Sequence, residues 1–533
     1  MRRRSLMLAA AATAGVAPSR ITAPPARAQA APPIRVVMNT ELQVLDPIVT
    51  NANVTRAFGY MVFDTLIAMD EAGEYRPQML QSWQASEDRL TWTFTLRPGL
   101  EWHDGTPVTA EDCVASLNRW GRRDGMGTRL MAATRALRVV DQRTFVLELS
   151  RPFGFVIEAI GKPAAQVPFM MPARLAATEP TRAVPEIVGS GPFTFRREEW
   201  RPGDRAVFRR NRNYRPREEP ANGLAGGKVA RVEQVDFVSL PDHATKVSAL
   251  LAGEIDFLEY APLDFVAMLR RDRNIVVTSP RPLAQSMGGV QINHTQPPFD
   301  NLLVRRALQQ AIDQREIMAG LGLPPDMTME FCQSIFMCGG PYEADAGTAP
   351  LRGASIERAR ELLREAGYAG QRTVLLHSTD SALINPMALV LIDRMRRAGF
   401  NLDVVATDFS SVAQRRLNHE PVERGGWSVV PVVWTGYDLA NPLAHYGTAY
   451  NCGTAYPGRY CDPELTPIME RFAAESDPAR RRELAAEMQA RVHGQALMGF
   501  MGQFFVPSAY RRNLRGVQEI GFPVLWNMER VGR

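Results

Sequence analysis

Residues 373–406 restrict the fold of this chain more than any other stretch. The run TVLLH at 373–377 has the length and apolar character of a strand, Asn385-Pro386 opens a helical stretch that Gly399 closes, and NLDVVA at 401–406 is a second strand. Strand, helix and strand in that order form a βαβ unit, with the two strands parallel. The second half of the chain is therefore expected to be an α/β lobe. Asp300 is the expected cap of a helix with Val304, Leu308, Ala311 and Ile312 on one face. Ile356, Ala359, Leu362, Leu363 and Ala366 line another helix that Gly367 stops, and residues 480–493 form a last amphipathic helix.

The first half has a different texture. LTWTFTL at 90–96 alternates strictly, with Leu90, Trp92, Phe94 and Leu96 on one face and threonines on the other, as a half-buried strand requires. Thr109 followed by Asp112 is a capping-box pattern that starts a helix. TFVLEL at 144–149 alternates again, and shorter β segments at 193–197, 204–209 and 231–238 complete the outline of a mixed sheet. The texture changes at Ser279-Pro280-Arg281-Pro282, an expected crossing between lobes. A length of 533 residues suits roughly two to four folding units.

The formal charge of +5 is misleading. Residues 1–28 carry Arg2, Arg3, Arg4, Arg20 and Arg27 and no acid, so 62 − 5 = 57 basic residues face 57 acidic ones in the rest. The remaining arginines are scattered among acids, and lysine occurs only at 162, 228 and 246, so a nucleic-acid partner is not expected. The basic start, the twelve apolar residues 6–17 and Ala26-Arg27-Ala28 read as a signal peptide over 1–28, cleaved after Ala28. Arg3-Arg4-Ser5-Leu6-Met7 resembles a twin-arginine export motif; a general secretory signal with an extra arginine is the alternative. With no cysteine after the cleavage region and no later run of 18 apolar residues, a soluble protein outside the cytoplasm is expected.

Disulfides are permitted in that compartment. Cys332 pairs most simply with Cys338 and Cys452 with Cys461, each closing a short loop, while Cys113 lies on the apolar side of a helix as a buried thiol. The motifs G-x-S-x-G, H-E-x-x-H, C-x-x-C and G-x-x-x-x-G-K-[ST] do not occur. GLAGGK at 223–228 has the wrong glycine spacing for a phosphate loop and reads as a turn. The seven histidines do not pair at metal-binding intervals, so no metal, cofactor or catalytic group is expected. Trp427, Trp434, Tyr437, Asp438, Tyr446 and Tyr450 follow or end a strand at 428–433 in Gly- and Pro-rich sequence. Such a cluster serves either as a ligand pocket beyond the strand ends or as core closure under a disulfide-held loop.

The stretch LQSWQASEDRLTWTFTLRPGLEWHDGTPVTAEDCVAS at 80–116 resembles the signature region of the family 5 extracellular solute-binding proteins, the peptide, nickel and opine binders of ABC importers. Further matching stretches follow in the family's order: LDP at 45–47, GSGPFTFRREEWRPGDRAVFRRNRNY at 189–214, LLAGEIDF at 250–257, NHTQPPFDNLLVRRALQQAID at 293–313 and WTG at 434–436. The resemblance implies an α/β, two-lobed periplasmic binding protein of the class II, cluster C type, with mixed sheets and a hinge crossed twice, near Pro280 and near Pro507. Lobe 1 would comprise 31–282, with an extra subdomain, plus 506–533; lobe 2 would comprise 283–505. It further implies a non-catalytic monomer that holds a small solute, a peptide or peptide-like molecule, between its lobes and delivers it to an ABC permease with its ATPase subunits. A nickel chelate, an opine or a sugar is the alternative ligand, and a secreted hydrolase or a sensor the alternative role.

By the same resemblance the ligand contacts are Thr40, Glu41 and Leu42 in the loop before LDP, and Phe409, Trp434, Tyr437 and Asp438 in lobe 2. The family's amine-binding aspartate lies three residues after the tryptophan, where this chain has Tyr437; Asp438 comes one later. A one-residue insertion restores Asp438 to that role, whereas a true substitution points to a ligand without a free amine.

Overall fold

The computed structural model describes residues 32–279, 282–452 and 457–532. The expected signal peptide and two residues of the first crossing, Pro280 and Arg281, lie outside them. The βαβ unit forms as its sequence dictates. Strands Arg372–Ser378 and Asn401–Thr407 pair in parallel along their whole length, and the helix Ile384–Ala398 joins them. Gly399 caps that helix at φ +101°, a left-handed conformation that a side chain would strain. Val429–Thr435 continues the parallel run, and Ser286–Ile292 and Met498–Phe504 extend the sheet antiparallel. The helices Leu302–Ala311, Ile356–Glu365 and Ile384–Ala398 bury Leu308, Leu362 and Leu391 in one apolar cluster with Val429 of the sheet. The cap of the first of these helices is Asn301 and not Asp300: Asn301 has the extended backbone of a cap, and its side chain accepts from Leu303 N.

A second mixed sheet of seven strands is built mostly from the first half of the chain. Ile34–Val37 lies in its middle, parallel to both Gln234–Val238 and Phe257–Leu258. Ala509–Arg511 returns from the C-terminal end to pair with Phe257–Leu258 and Ile275–Val277. An antiparallel four-stranded sheet, Leu80–Ala85, Thr91–Leu96, Thr144–Leu149 and Thr134–Val139, forms the extra layer. In Thr91–Leu96 the alternation puts Trp92, Phe94 and Leu96 inside, and Thr109 and Asp112 make the reciprocal capping box that opens the helix Ala110–Gly121. Cys113 of that helix is buried and unpaired, and burial pushes its thiol pKa up. The residues 223–228 form turns, but Lys228 is fully buried: its Nζ sits 2.7 Å from Asp64 Oδ1 and 4.9 Å from the Trp526 ring centre.

The chain passes between the two mixed sheets twice, from Ile275–Val277 to Ser286–Ile292 and from Met498–Phe504 to Ala509–Arg511. The two passages lie side by side. Thr278 N donates to Ser508 O at 3.0 Å, and Ser508 N donates to Thr278 Oγ1 at 2.9 Å. Ser508 Oγ also donates to Glu259 O at 2.7 Å. The Glu259 side chain is 2% exposed; one oxygen accepts from Asn39 N at 2.7 Å, and Oε1 has no hydrogen-bond partner among the described residues. Burial pushes its pKa up to about 7, against the pull of the Asn39 N–H and the charges of Arg56 and Lys246.

Both expected disulfides, Cys332–Cys338 and Cys452–Cys461, are present. A Cys332→Ser, Cys338→Ser double variant should lose about 2–3 kcal/mol in urea unfolding, the loop-entropy value for so short a loop; an unchanged midpoint would show that the bridge is dispensable. For Glu259 the folded-state pKa lies above the ordinary one. Its stability contribution is therefore full below pH ~4.5 and is lost as pH rises to about 7. Glu259→Gln should accordingly raise Tm relative to wild type more at pH 8 than at pH 4.5, and an equal offset at both would contradict the buried-acid reading.

Candidate functional site

The LDP aspartate sets the geometry of the site from behind. Asp46 is fully buried and takes a forked contact from Arg119, at 2.8 and 3.3 Å, together with Val184 N and its own Ile48 N. This fixes the loop after it, and Pro47, Thr50, Asn51 and Ala52 form one wall of a crevice. Arg56 and residues 165–167 and 169 close that crevice, and a neighbouring one is lined in part by residues that follow a strand of the other sheet. Strand Val429–Thr435 runs into the short helix Gly436–Leu439, which carries Tyr437 and Asp438, and Tyr446 and Tyr450 follow in the next loop.

The Trp434 indole reaches diagonally over the neighbouring strand onto Gly289, which pairs with Val432 two residues before Trp434. A Cβ there would sit 1.8 Å from the indole, so only glycine lets the ring in. Tyr446 stacks on Trp434 at 6.2 Å and Tyr450 stacks on Tyr446 at the same distance, forming an aromatic ladder beside Asp438. Tyr437 turns the other way, edge-on to Phe522 at 5.8 Å. The crevice bounded by Asp438, Tyr446, Tyr450, Asn51, Lys162 and Gln166 is nearly filled by these side chains, with a volume of about 10 Å³, roughly the room of one water.

Asp438 is 6% exposed and is one of the points where the two halves meet. From its own half it accepts Thr435 Oγ1 at 2.7 Å. From the other half it accepts Ala165 N at 2.7 Å and Arg56 Nη2 at 3.3 and 3.4 Å. Arg56 comes from the helix Asn53–Val62, and it also donates to Asn53 Oδ1 at 2.8 Å and Pro163 O at 3.1 Å. Burial works against the Arg56 charge, yet Asp438 and the neighbouring tyrosines hold its pKa above the ordinary value. A second buried ion pair, Lys162 with Asp124, lines the same crevice, and Lys162 Nζ donates to Ala165 O at 2.7 Å.

Of the expected contacts, the structure brings Trp434 and Asp438 to this seam. Leu42 is buried, whereas Thr40 and Glu41 are exposed, with the Glu41 carboxylate accepting from Gly203 N. Phe409 is 44% exposed at the first turn of the helix Phe409–Arg415 and lines neither of the two crevices described by Asp438 and by Arg56. Arg56, Lys162, Asp124 and the 162–166 strap went unnoticed in the sequence. The scarcity of lysine was a usable signal for Lys162. Three histidines serve the fold: His103, His294 and His493 each bond a backbone carbonyl through Nε2, and burial lowers their pKa values to about 4, 3 and 4. Among the described residues no group of three or more His, Cys, Asp or Glu could hold a metal ion, and no helix is long and apolar enough to cross a membrane.

The pattern described as "Bacterial extracellular solute-binding proteins, family 5 Middle" matches residues 74–456. The chain is 34% identical over 494 residues, 92% of both chains, to the "Probable peptide ABC transporter periplasmic-binding protein y4tO" of Sinorhizobium fredii. A dipeptide-binding protein from Pseudoalteromonas sp. SM9913, solved with Met-Leu, superposes with a TM-score of 0.77 at 20% identity, covering 94% of this chain and 100% of that one. AgaA of A. tumefaciens R10, solved with agropinic acid, gives 0.75 at 20% identity, over 94% and 99%. The matched length, the relative's identity and the two-lobed α/β fold make this chain a member of the bacterial extracellular solute-binding proteins, family 5.

Proposed function

We propose that this protein captures a peptide or peptide-like solute in the seam around Asp438 and delivers it to a membrane permease driven by its ATPase subunits. The observation that carries the reading is a buried carboxylate contributed by one half of the molecule and hydrogen-bonded by the other, beside an aromatic ladder. A peptide ammonium needs such an acid, and the stacked rings suit apolar side chains. The likeness to the S. fredii protein, whose name includes peptide, supports the solute class. We place lobe 1 at 31–282 plus 506–533 and lobe 2 at 283–505. In support, one mixed sheet draws its strands from 34–277 and 509–511, the other from 286–504.

Asp438 is assigned the amine, with Trp434 and Tyr437 beside it. Thr40, Glu41, Leu42 and Phe409 are assigned to parts of a longer ligand that reach beyond the seam. We take the protein to act as a monomer in the periplasm, exported by the 1–28 signal.

Calorimetry against amino acids, di- and tripeptides, opines, sugars and nickel chelates tests the reading. Binding to peptides without turnover is expected; hydrolysis of the peptide, or binding confined to another class, would contradict it. Asp438→Asn should weaken amine-bearing ligands by about 2 kcal/mol or more relative to their N-acetyl forms. An equal loss for both forms would remove Asp438 from the amine site.

A further inference from the structure

Among the described residues two arginine–carboxylate pairs have both side chains buried, and they are built differently. Arg119 and Asp46 both belong to lobe 1 as assigned above, meet through two guanidinium nitrogens, and are locked further by the Thr178 and Arg182 carbonyls. That is a structural pair. Arg56 and Asp438 stand 382 residues apart, one on each side of the seam. They meet through a single nitrogen at 3.3–3.4 Å, longer than the usual charge-assisted distance of about 2.7–2.9 Å. Arg56 is buried, its Nε has no hydrogen-bond partner among the described residues, and it lines the crevice next to the one lined by Asp438. The two crevices share Asn51, Ala165 and Gln166.

We propose that Arg56 is a specificity-determining residue that takes a carboxylate of the bound solute, and that the Arg56–Asp438 pair stands in for a short zwitterionic ligand. This rests on the assignment of the ammonium to Asp438 above. The charge balance makes the selection. Asp438 and Arg56 cancel, as do Lys162 and Asp124 on the same wall, so the crevice is neutral as it stands. A ligand that carries only an ammonium would separate Asp438 from Arg56 and leave a buried guanidinium without its carboxylate. A ligand that carries only a carboxylate would strand Asp438. Breaking one side of a buried pair is strongly unfavourable, whereas replacing both partners at once preserves every charge contact. An amino acid or small peptide, with ammonium and carboxylate within one or two residues of each other, does this. Arg56 Nε supplies a donor that Asp438 does not use.

Each peptide that binds in the panel above is compared with its C-terminal amide on the wild-type full chain by calorimetry. The amide should bind at least tenfold more weakly than the free acid. In Arg56→Gln the free acid should weaken by a similar factor and the gap between acid and amide should close to within about threefold, while Arg56→Lys should keep part of it. Equal affinity of acid and amide on the wild-type chain overturns the inference and leaves peptide capture standing. Failure of every peptide to bind removes the peptide reading itself, and this inference with it.

Discussion

A carboxylate with almost no access to water, Asp438, has to be hydrogen-bonded from both sides of the seam, and the architecture around it follows from that requirement. An unpaired buried carboxylate costs several kcal/mol, so each of its partners must be delivered accurately. Thr435 and the helix Gly436–Leu439 deliver one from the end of a parallel strand, where α/β folds place ligand sites. The 162–166 strap and the helix Asn53–Val62 deliver the others. These are held in turn by Asp46, Arg119 and Lys162, which is why so many charged groups in a protein of this kind are found inside.

The same requirement gives the hinge its meaning. The two strand passages, joined by Thr278 N to Ser508 O and by Ser508 N to Thr278 Oγ1, are where a hinge motion between the sheets would be taken up. Bending would make and break the contacts of Asp438 with Arg56 and Ala165 along with others, such as those of Arg481 with Gly154 and Glu158, so the lobe-to-lobe equilibrium and the pairing of charges in the seam are linked. A solute shifts that equilibrium only by what it binds better in the closed form.

Much of this was legible in the sequence where local chemistry decides. The βαβ unit, the Thr109–Asp112 box, the Gly399 cap and the alternation in Thr91–Leu96 need only neighbours along the chain. Both disulfides close short loops and could be paired by spacing. Asp438 and Trp434 were visible through the family resemblance, Trp434 near the end of the strand Val429–Thr435 and Asp438 just after it. Arg56 was not, because nothing in NVTRAFGY distinguishes an inward arginine from an exposed one; its role comes from a partner 382 residues away. Glu259 was hidden for the same reason. Phe409 and Glu41 are exposed away from the Asp438 crevice, an arrangement that only the fold around them decides.

The central claim is that the seam at Asp438 is where a solute sits, with its ammonium on that carboxylate. A crystal structure of the chain with a bound dipeptide tests it most directly. The account predicts the peptide enclosed between the lobes, its ammonium within hydrogen-bond distance of Asp438 and the Arg56–Asp438 contact opened. A peptide bound elsewhere, with Arg56 still paired to Asp438, would contradict it.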